Sequence, residues 1–317
     1  MNIFDKIKED AGQWGIWIVS GLMSVIVIAF LPAFITVKNA PPPITNPDSP
    51  LGYSWSNLFW TLPAIALVLF LFLLKKPMGE KKAITISLVF LPILGFVLDI
   101  FFAGRFFTFE NTASVWGIYI KGFDFTMMGF SYDIPIEEFI FYITGFLFCL
   151  VMYLFSSNFW LKKYAVNPEL ILTEALSTLK KDQKIVPLIV CSIFIAIGFI
   201  LRFIFGTAES NLLPEYYLFL VIFGILPAAL CYPDAKHIVN WQAFSLTTMT
   251  VLLISVIWEV TLGIPYGWWG YHPEPMIGLF IKPWSNLPIE SVIVWFCVNF
   301  TTIFFYERVR LFIYKKK

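Results

Sequence analysis

Charged side chains are scarce in this chain of 317 residues. Asp, Glu, Lys and Arg account for 14% of it, whereas roughly 25% is usual for soluble globular domains. Hydrophobic residues account for 59%, and the mean hydropathy is +0.78. A soluble fold of this size could not cover its surface with so few polar groups. The composition therefore argues against soluble nucleotide-binding enzymes, secreted disulfide scaffolds and nucleic acid partners, and it indicates an integral membrane protein.

Motifs for metals and cofactors are also missing. The two histidines are isolated, and the four cysteines lie in or beside apolar runs without CxxC spacing, so we expect neither a metal site nor a disulfide. The chain has no GxGxxG loop for a nucleotide phosphate and no DDxxD-like pair of acidic clusters for a Mg²⁺-diphosphate. We therefore expect no cofactor, and a polyprenyl transferase is disfavoured.

Apolar runs of about 20 residues, the length that crosses a ~30 Å hydrocarbon core, recur along the chain. An even number of crossings places both termini on one side of the membrane. On that side the termini and loops hold 17 of the 22 Lys and Arg residues, so both termini are predicted to be cytoplasmic. We predict an all-α bundle of eight transmembrane helices, at 14–36, 57–74, 83–103, 136–155, 185–205, 215–232, 241–262 and 287–306.

The eight predicted spans divide into two sets of four. We predict a first membrane repeat at 1–160, a cytoplasmic linker with an amphipathic helix starting near Asn167 at 161–184, and a second membrane repeat at 185–317. The fourth span opens with DIPIEEFIFY and the eighth with NLPIESVIVWF, so Pro-Ile-Glu recurs 153 residues apart at equivalent places. This coincidence supports an internal duplication.

Besides Glu215, the first residue of the sixth span, five carboxylates fall inside the predicted spans. A carboxylate at the centre of a spanning helix costs roughly 2.5 to 3.5 kcal/mol, so each needs a reason. Spans three and seven carry theirs near the end, and spans four and eight near the start, which places all five at one depth toward the non-cytoplasmic side. An acid in a first helical turn is also favoured by the helix dipole alone, and this alternative stays open for the two motif glutamates. The five candidate catalytic residues are Asp99, Glu137, Glu138, Glu259 and Glu290.

Aromatic residues crowd the loop PYGWWGYHPEP between the last two spans. Trp and Tyr at a membrane boundary are commonly interface anchors. Their density beside the carboxylates instead favours a pocket whose ring faces stabilise a cation, each by about 0.5 to 2 kcal/mol. Arg202 either extends to the interface or neutralises an acid. The residues expected to bind substrate are Pro135, Phe141, Trp258, Trp268, Trp269, Tyr271 and Pro288.

The motif resembles that of the small integral-membrane carotenoid cyclases in their fused two-repeat form. That family carries P-x-E-[E/D]-x-x-F in each half, after a span that ends in an acid. Pro135 to Phe141 follows the pattern, whereas the second copy has Ser291 in place of the second acid. Asp99 lies 36 residues before Pro135, and Glu259 lies 29 before Pro288. The family offers no explanation for the extra loop ENTASVWGIYIKGFDFTMMGF.

The resemblance implies an intramolecular lyase or isomerase of the lycopene beta-cyclase type, which closes the end of a linear carotenoid without net redox change. It implies Glu137 as the leading proton donor, Glu138 or Asp99 as its base partner, and Glu290 with Glu259 as the matching set. Whether these form two sites or one composite site stays open. The implied partners are membrane lipid, a hydrophobic carotenoid and other membrane enzymes of carotenoid synthesis.

Two alternatives remain at this stage. Duplicated halves with intramembrane acids also suit a small proton-coupled transporter. The altered second motif equally suits a cyclase relative that acts on another isoprenoid.

Overall fold

The computed structural model describes residues 49–73, 79–166, 185–206 and 211–316. The first predicted span, 14–36, and the amphipathic helix predicted from Asn167 lie outside these ranges. Most of the linker does too, so the division into 1–160, 161–184 and 185–317 stays a prediction.

Long apolar helices dominate the described ranges, and seven of them are long and apolar enough to cross a membrane. They coincide with predicted spans two to eight, which confirms the predicted helical membrane fold for this part of the chain. The predicted total of eight is not confirmed, because the first span is not described. The helices are α1 (Gly52–Leu73), α2 (Lys81–Phe106), α3 (Ile136–Trp160), α4 (Ile185–Phe205), α5 (Glu215–Ala235), α6 (Trp241–Gly263) and α7 (Ile289–Lys315).

Helices α3 and α7 are the most enclosed of the seven, and α4 is the most exposed. We call α3 and α7 the central helices. Each begins directly after one Pro of the repeated motif, so the motif lies where a central helix enters the core. We call this end of the bundle, where α2 and α6 end and α3 and α7 begin, the carboxylate end.

Three helices contain a π turn, a rare irregularity that often marks a functional site. These turns are Ser156–Trp160 in α3, Val221–Ile225 in α5 and Glu259–Gly263 in α6. The last one begins at a candidate catalytic residue.

The carboxylate end is covered by three two-stranded antiparallel sheets. The long loop that the family pattern left unexplained forms a hairpin that leads straight into α3, and a shorter hairpin leads into α7. The third sheet joins the segment after α2 to the segment after α6 and so ties the two halves together. The pairs are β1 (Phe107–Thr108) with β4 (Gly270–Tyr271), β2 (Tyr119–Asp124) with β3 (Gly129–Pro135), and β5 (Phe280–Ile281) with β6 (Leu287–Pro288).

An aromatic cluster forms the core beneath these sheets. The Trp60 ring of α1 stacks on Trp295 of α7 with centroids 4.5 Å apart, and it meets Trp258 of α6 edge-on at 5.9 Å. Trp60 is fully buried. Large rings from three helices therefore fix the walls of any cavity at this depth.

The backbone of α6 packs closely against the Trp269 ring of this aromatic cluster at Gly263. A β-carbon at Gly263 would lie 2.0 Å from Cζ2 of Trp269, too close for any real contact. We expect Gly263→Ala to lower the free energy of unfolding by about 1 to 3 kcal/mol, because the indole must move. Thermal unfolding of the purified protein in detergent measures this.

The matched control is Gly145→Ala in α3, whose new β-carbon would meet only Phe141 at an ordinary 3.8 Å. Equal unfolding temperatures for Gly263→Ala and the unmutated protein would contradict the packing described here.

Candidate active site

The two copies of the motif are built alike. Pro135 pairs with Tyr119 across one hairpin, and Pro288 pairs with Phe280 across the other. The next residue donates its N–H to the residue that precedes the opposite strand: Ile136 to the Ile118 carbonyl at 2.9 Å, and Ile289 to the Leu279 carbonyl at 3.0 Å. The sequence repeat is therefore a repeat of local structure.

The first glutamate of each copy accepts a hydrogen bond from the backbone of the segment that precedes the hairpin. Oε1 of Glu137 accepts the backbone N–H of Trp116 at 2.7 Å, and Oε1 of Glu290 accepts the N–H of Ile277. Glu137 also accepts the Ser54 hydroxyl at 2.5 Å. Both glutamates are fully buried. Each one anchors the segment that covers its own helix.

The second position differs between the halves. Glu138 accepts a hydrogen bond from the Tyr53 hydroxyl of α1. Its counterpart Ser291 cannot act as an acid and instead donates to Oε2 of Glu259 on α6. At this position α3 therefore supplies an acid, whereas α7 supplies a hydroxyl donor to the acid of α6.

Glu259 is surrounded by donors. It accepts the Trp295 indole N–H at 2.8 Å and the Tyr271 hydroxyl at 2.9 Å, in addition to the Ser291 hydroxyl. Three donors satisfy the acceptor sites of a buried carboxylate without a cation.

Asp99 has a related contact. The Tyr142 hydroxyl donates to Oδ1 of Asp99 at 3.2 Å. Tyr142 and Trp295 occupy the same place in the two motif copies, 153 residues apart. In each half a residue of the central helix thus binds the acid of the preceding helix.

Glu138 and Glu259 face one cavity of about 70 Å³, which we call the carboxylate cavity. A buried water molecule needs a cavity volume of ~10–15 Å³, so the carboxylate cavity has room for about five water molecules. In its wall the rings of Phe141 and Trp258 stack with their centroids 5.0 Å apart. The ring centroids of Trp258 and Trp269 are 4.4 Å apart. Its aromatic walls comprise Tyr53, Phe107, Phe109, Phe141, Tyr142, Phe146, Tyr216, Trp258, Trp269, Tyr271 and Trp295.

Some predicted site residues do not line this cavity. Asp99 lies behind Tyr142. Trp268 packs on Gly52 and donates its indole N–H to the Ser49 hydroxyl at 2.9 Å. The prolines and first glutamates of both motif copies act through the hairpins described above. The residues outside the lining are Pro135, Glu137, Pro288, Glu290, Asp99 and Trp268.

Arg202 does not extend to the interface, and its positive charge interacts with the Glu290 carboxylate. It is buried, and its guanidinium donates to the backbone carbonyls of Asn211 at 2.8 Å, Glu274 at 2.9 Å, and Met276. It therefore holds the segment next to Ile277, whose N–H binds Glu290.

Four residues with polar groups line the cavity without having been predicted from the sequence: Tyr53, Tyr142, Tyr216 and Trp295. Tyr142 and Trp295 would have emerged from aligning the two motif copies, because both stand four residues after the second motif position. The role of Tyr53 could not be predicted in this way, because the sequence of α1 does not indicate which helix Tyr53 contacts.

Tyr271 lies in the loop between α6 and α7. Burial, followed by the nearby Glu259 carboxylate, raises the pKa of its hydroxyl well above the ordinary value. Tyr271 therefore stays protonated at physiological pH and keeps donating to Glu259.

Comparison of the chain with known protein families, with curated proteins and with solved structures finds no match. In the part of the chain that the structure describes, no group of three or more His, Cys, Asp or Glu side chains could hold a metal ion.

The anchoring role of Glu137 is testable. Glu137→Leu leaves the Trp116 N–H and the Ser54 hydroxyl without their shared acceptor, so we expect a loss of about 1 to 3 kcal/mol in the free energy of unfolding. Glu137→Gln keeps a carbonyl oxygen in the same place and should unfold near the temperature of the unmutated protein. Thermal unfolding in detergent distinguishes the two variants. Equal destabilisation by both would contradict a hydrogen-bond anchor.

Proposed function

We propose that this protein is a carotenoid cyclase of the lycopene beta-cyclase type, acting by acid-base chemistry within the membrane. The observation that carries the proposal is that acids from both halves, Glu138 and Glu259, line one aromatic-walled cavity. A single composite site at the carboxylate end follows from this arrangement.

Glu138 is the proton donor in this proposal. Its protonated carboxyl transfers a proton to the terminal C=C of a linear carotenoid, which leaves a tertiary carbocation. The neighbouring C=C attacks the cation and closes the six-membered ring. The acid role falls on Glu138 rather than Glu137, because Glu137 is occupied by the Trp116 N–H and lies outside the cavity lining.

Glu259 is the base. It removes a proton from the ring carbon beside the cation, and the electron pair of that C–H bond becomes the ring double bond. One proton enters and one leaves, so the product is an isomer of the substrate and no redox partner is needed. The three donors to Glu259 suit a group that starts the cycle as a carboxylate.

Ring faces stabilise the cation between these two steps. Phe141, Trp258, Trp269 and Trp295 line the cavity, and each ring face contributes about 0.5 to 2 kcal/mol toward a desolvated cation. An apolar wall also excludes the water that would trap the intermediate as an alcohol.

The surroundings follow from the basic residues of the sequence. We propose cytoplasmic termini, with the carboxylate end toward the opposite face of the membrane. The substrate then arrives from the bilayer itself, and other membrane enzymes of carotenoid synthesis are its expected source.

The decisive variants are Glu138→Gln and Glu259→Gln. Each should reduce beta-ring formation by about 10²- to 10⁴-fold, the usual contribution of a general acid or base. The measurement is chromatography of pigments from lycopene-accumulating cells that express the protein.

Asp133→Asn is the matched control, since Asp133 is an exposed acid just ahead of the motif that pairs only with Lys121 among the described residues. It should leave pigments unchanged. Undiminished ring formation in Glu138→Gln, with the variant inserted in the membrane, would overturn the assignment.

A cyclase relative that acts on another isoprenoid is favoured by one observation, the serine at position 291. Its hydroxyl is committed to Glu259, so the two halves do not present the same acid to substrate. Untargeted profiling of lipids and pigments from an expressing strain tests this: a cyclised isoprenoid other than a carotenoid would support the relative.

Proton-coupled transport is favoured by a second buried acid at the opposite end of α7. Glu307 accepts the Tyr153 hydroxyl at 2.6 Å and pairs with Arg310 at 2.8 Å. A transporter requires a pH gradient for flux into proteoliposomes, whereas a cyclase converts lycopene without one. Proton flux that depends on the pH gradient, without formation of a ring product, would favour the transporter and contradict the cyclase proposal.

A further inference from the structure

Two further cavities continue from the carboxylate cavity into the bundle. The first, the middle cavity, has a volume of about 90 Å³ and lies among α2, α3, α5 and α7. It shares four lining residues with the carboxylate cavity: Tyr142, Phe146, Val294 and Val298. The two spaces therefore adjoin across a few side chains.

The second, the lipid-side cavity, is much larger at about 540 Å³ and lies among α4, α5 and α7. None of the residues that line it is charged. Val186, Phe194 and Tyr232 line it and are also exposed on the surface that the fold turns toward the bilayer. A hydrocarbon can therefore reach it from the membrane without crossing water.

The middle and lipid-side cavities meet at Gly224 and Cys297, which line both. A β-carbon at Gly224 would lie 2.5 Å from Cβ of Cys297, so only glycine permits this approach of α5 to α7. The π turn Val221–Ile225 lies at the same point. The wall between the two cavities is therefore one close contact between small groups, beside an irregular helical turn.

The length of the path suits a long chain. Along α7 the path runs from Ser291, beside the acids, to Phe304 in the lipid-side cavity, which is ~20 Å at 1.5 Å per residue. The carboxylate cavity alone holds only the end of such a chain, so the remainder requires another apolar space.

We propose that the middle and lipid-side cavities bind the linear apolar tail of the isoprenoid whose end reacts between Glu138 and Glu259. This inference rests on the proposed function. The three cavities lie in a row that ends at two carboxylates. This arrangement favours the substrate tail over a phospholipid acyl chain, which has no group that reacts with those acids.

The test fills the lipid-side cavity far from the acids. Ala229 lines it, whereas the next residue, Leu230, is exposed and lies outside all three linings. In purified Glu138→Gln protein, which cannot turn over, lycopene bound per protein is measured by its visible absorbance. Ala229→Phe should lower this about tenfold, because the new ring occupies the volume of the tail, and Leu230→Phe should not change it.

Val190→Phe, which enters the same cavity from α4, should act like Ala229→Phe and guards against a folding defect of one variant. Unchanged lycopene binding in both variants would overturn the inference. Variants that lose bound phospholipid but still bind lycopene would overturn it too. If binding depends on Ala229 while the unmutated protein forms no ring, the tail site stands and the cyclase proposal fails.

Discussion

The fold depends on how a membrane-buried carboxylate obtains hydrogen-bond donors. Glu137 and Glu290 each accept a backbone N–H from the chain ahead of a hairpin. Breaking either contact would remove a donor from a buried acid and leave a backbone N–H without its acceptor, which is costly in low dielectric. The two hairpins are therefore fixed over the starts of α3 and α7. Because successive helical residues differ in direction by about 100°, anchoring Glu137 also directs Glu138 toward the cavity.

The second half reaches the same end by other contacts. In α3 the position after the anchor is Glu138, which lines the cavity, and in α7 it is Ser291, which donates to Glu259. Tyr142 and Trp295, at equivalent places, bind Asp99 and Glu259. A duplicated frame thus keeps its hydrogen-bond positions while the groups that occupy them differ. This divergence gives one cavity two unlike carboxylates, one with a single donor and one with three.

Spans two to eight and the five acids at the carboxylate end could be predicted from the sequence, because the cost of placing charge and backbone in lipid is large and local. The hairpins could not, since β2 and β3 lie in a loop whose pairing depends on α2 behind it. Nor could the roles of Glu137 and Glu138 be separated. Adjacent letters in a motif do not reveal which side chain meets a backbone N–H and which faces a cavity. Tyr53 was out of reach for the same reason, since its partner is 85 positions away.

The proposed composite site requires the two predicted halves to stay in register. Glu138 and Glu259 come from different halves, and their separation is set by contacts between those halves. The β1–β4 pair joins Phe107 to Tyr271, and Arg105 binds Glu215 through two hydrogen bonds of 2.5 and 2.7 Å. Tyr271 also donates to Glu259, so the strand that connects the halves also positions this carboxylate. Under the proposed mechanism, a shift between the halves would move the base and one cavity wall together.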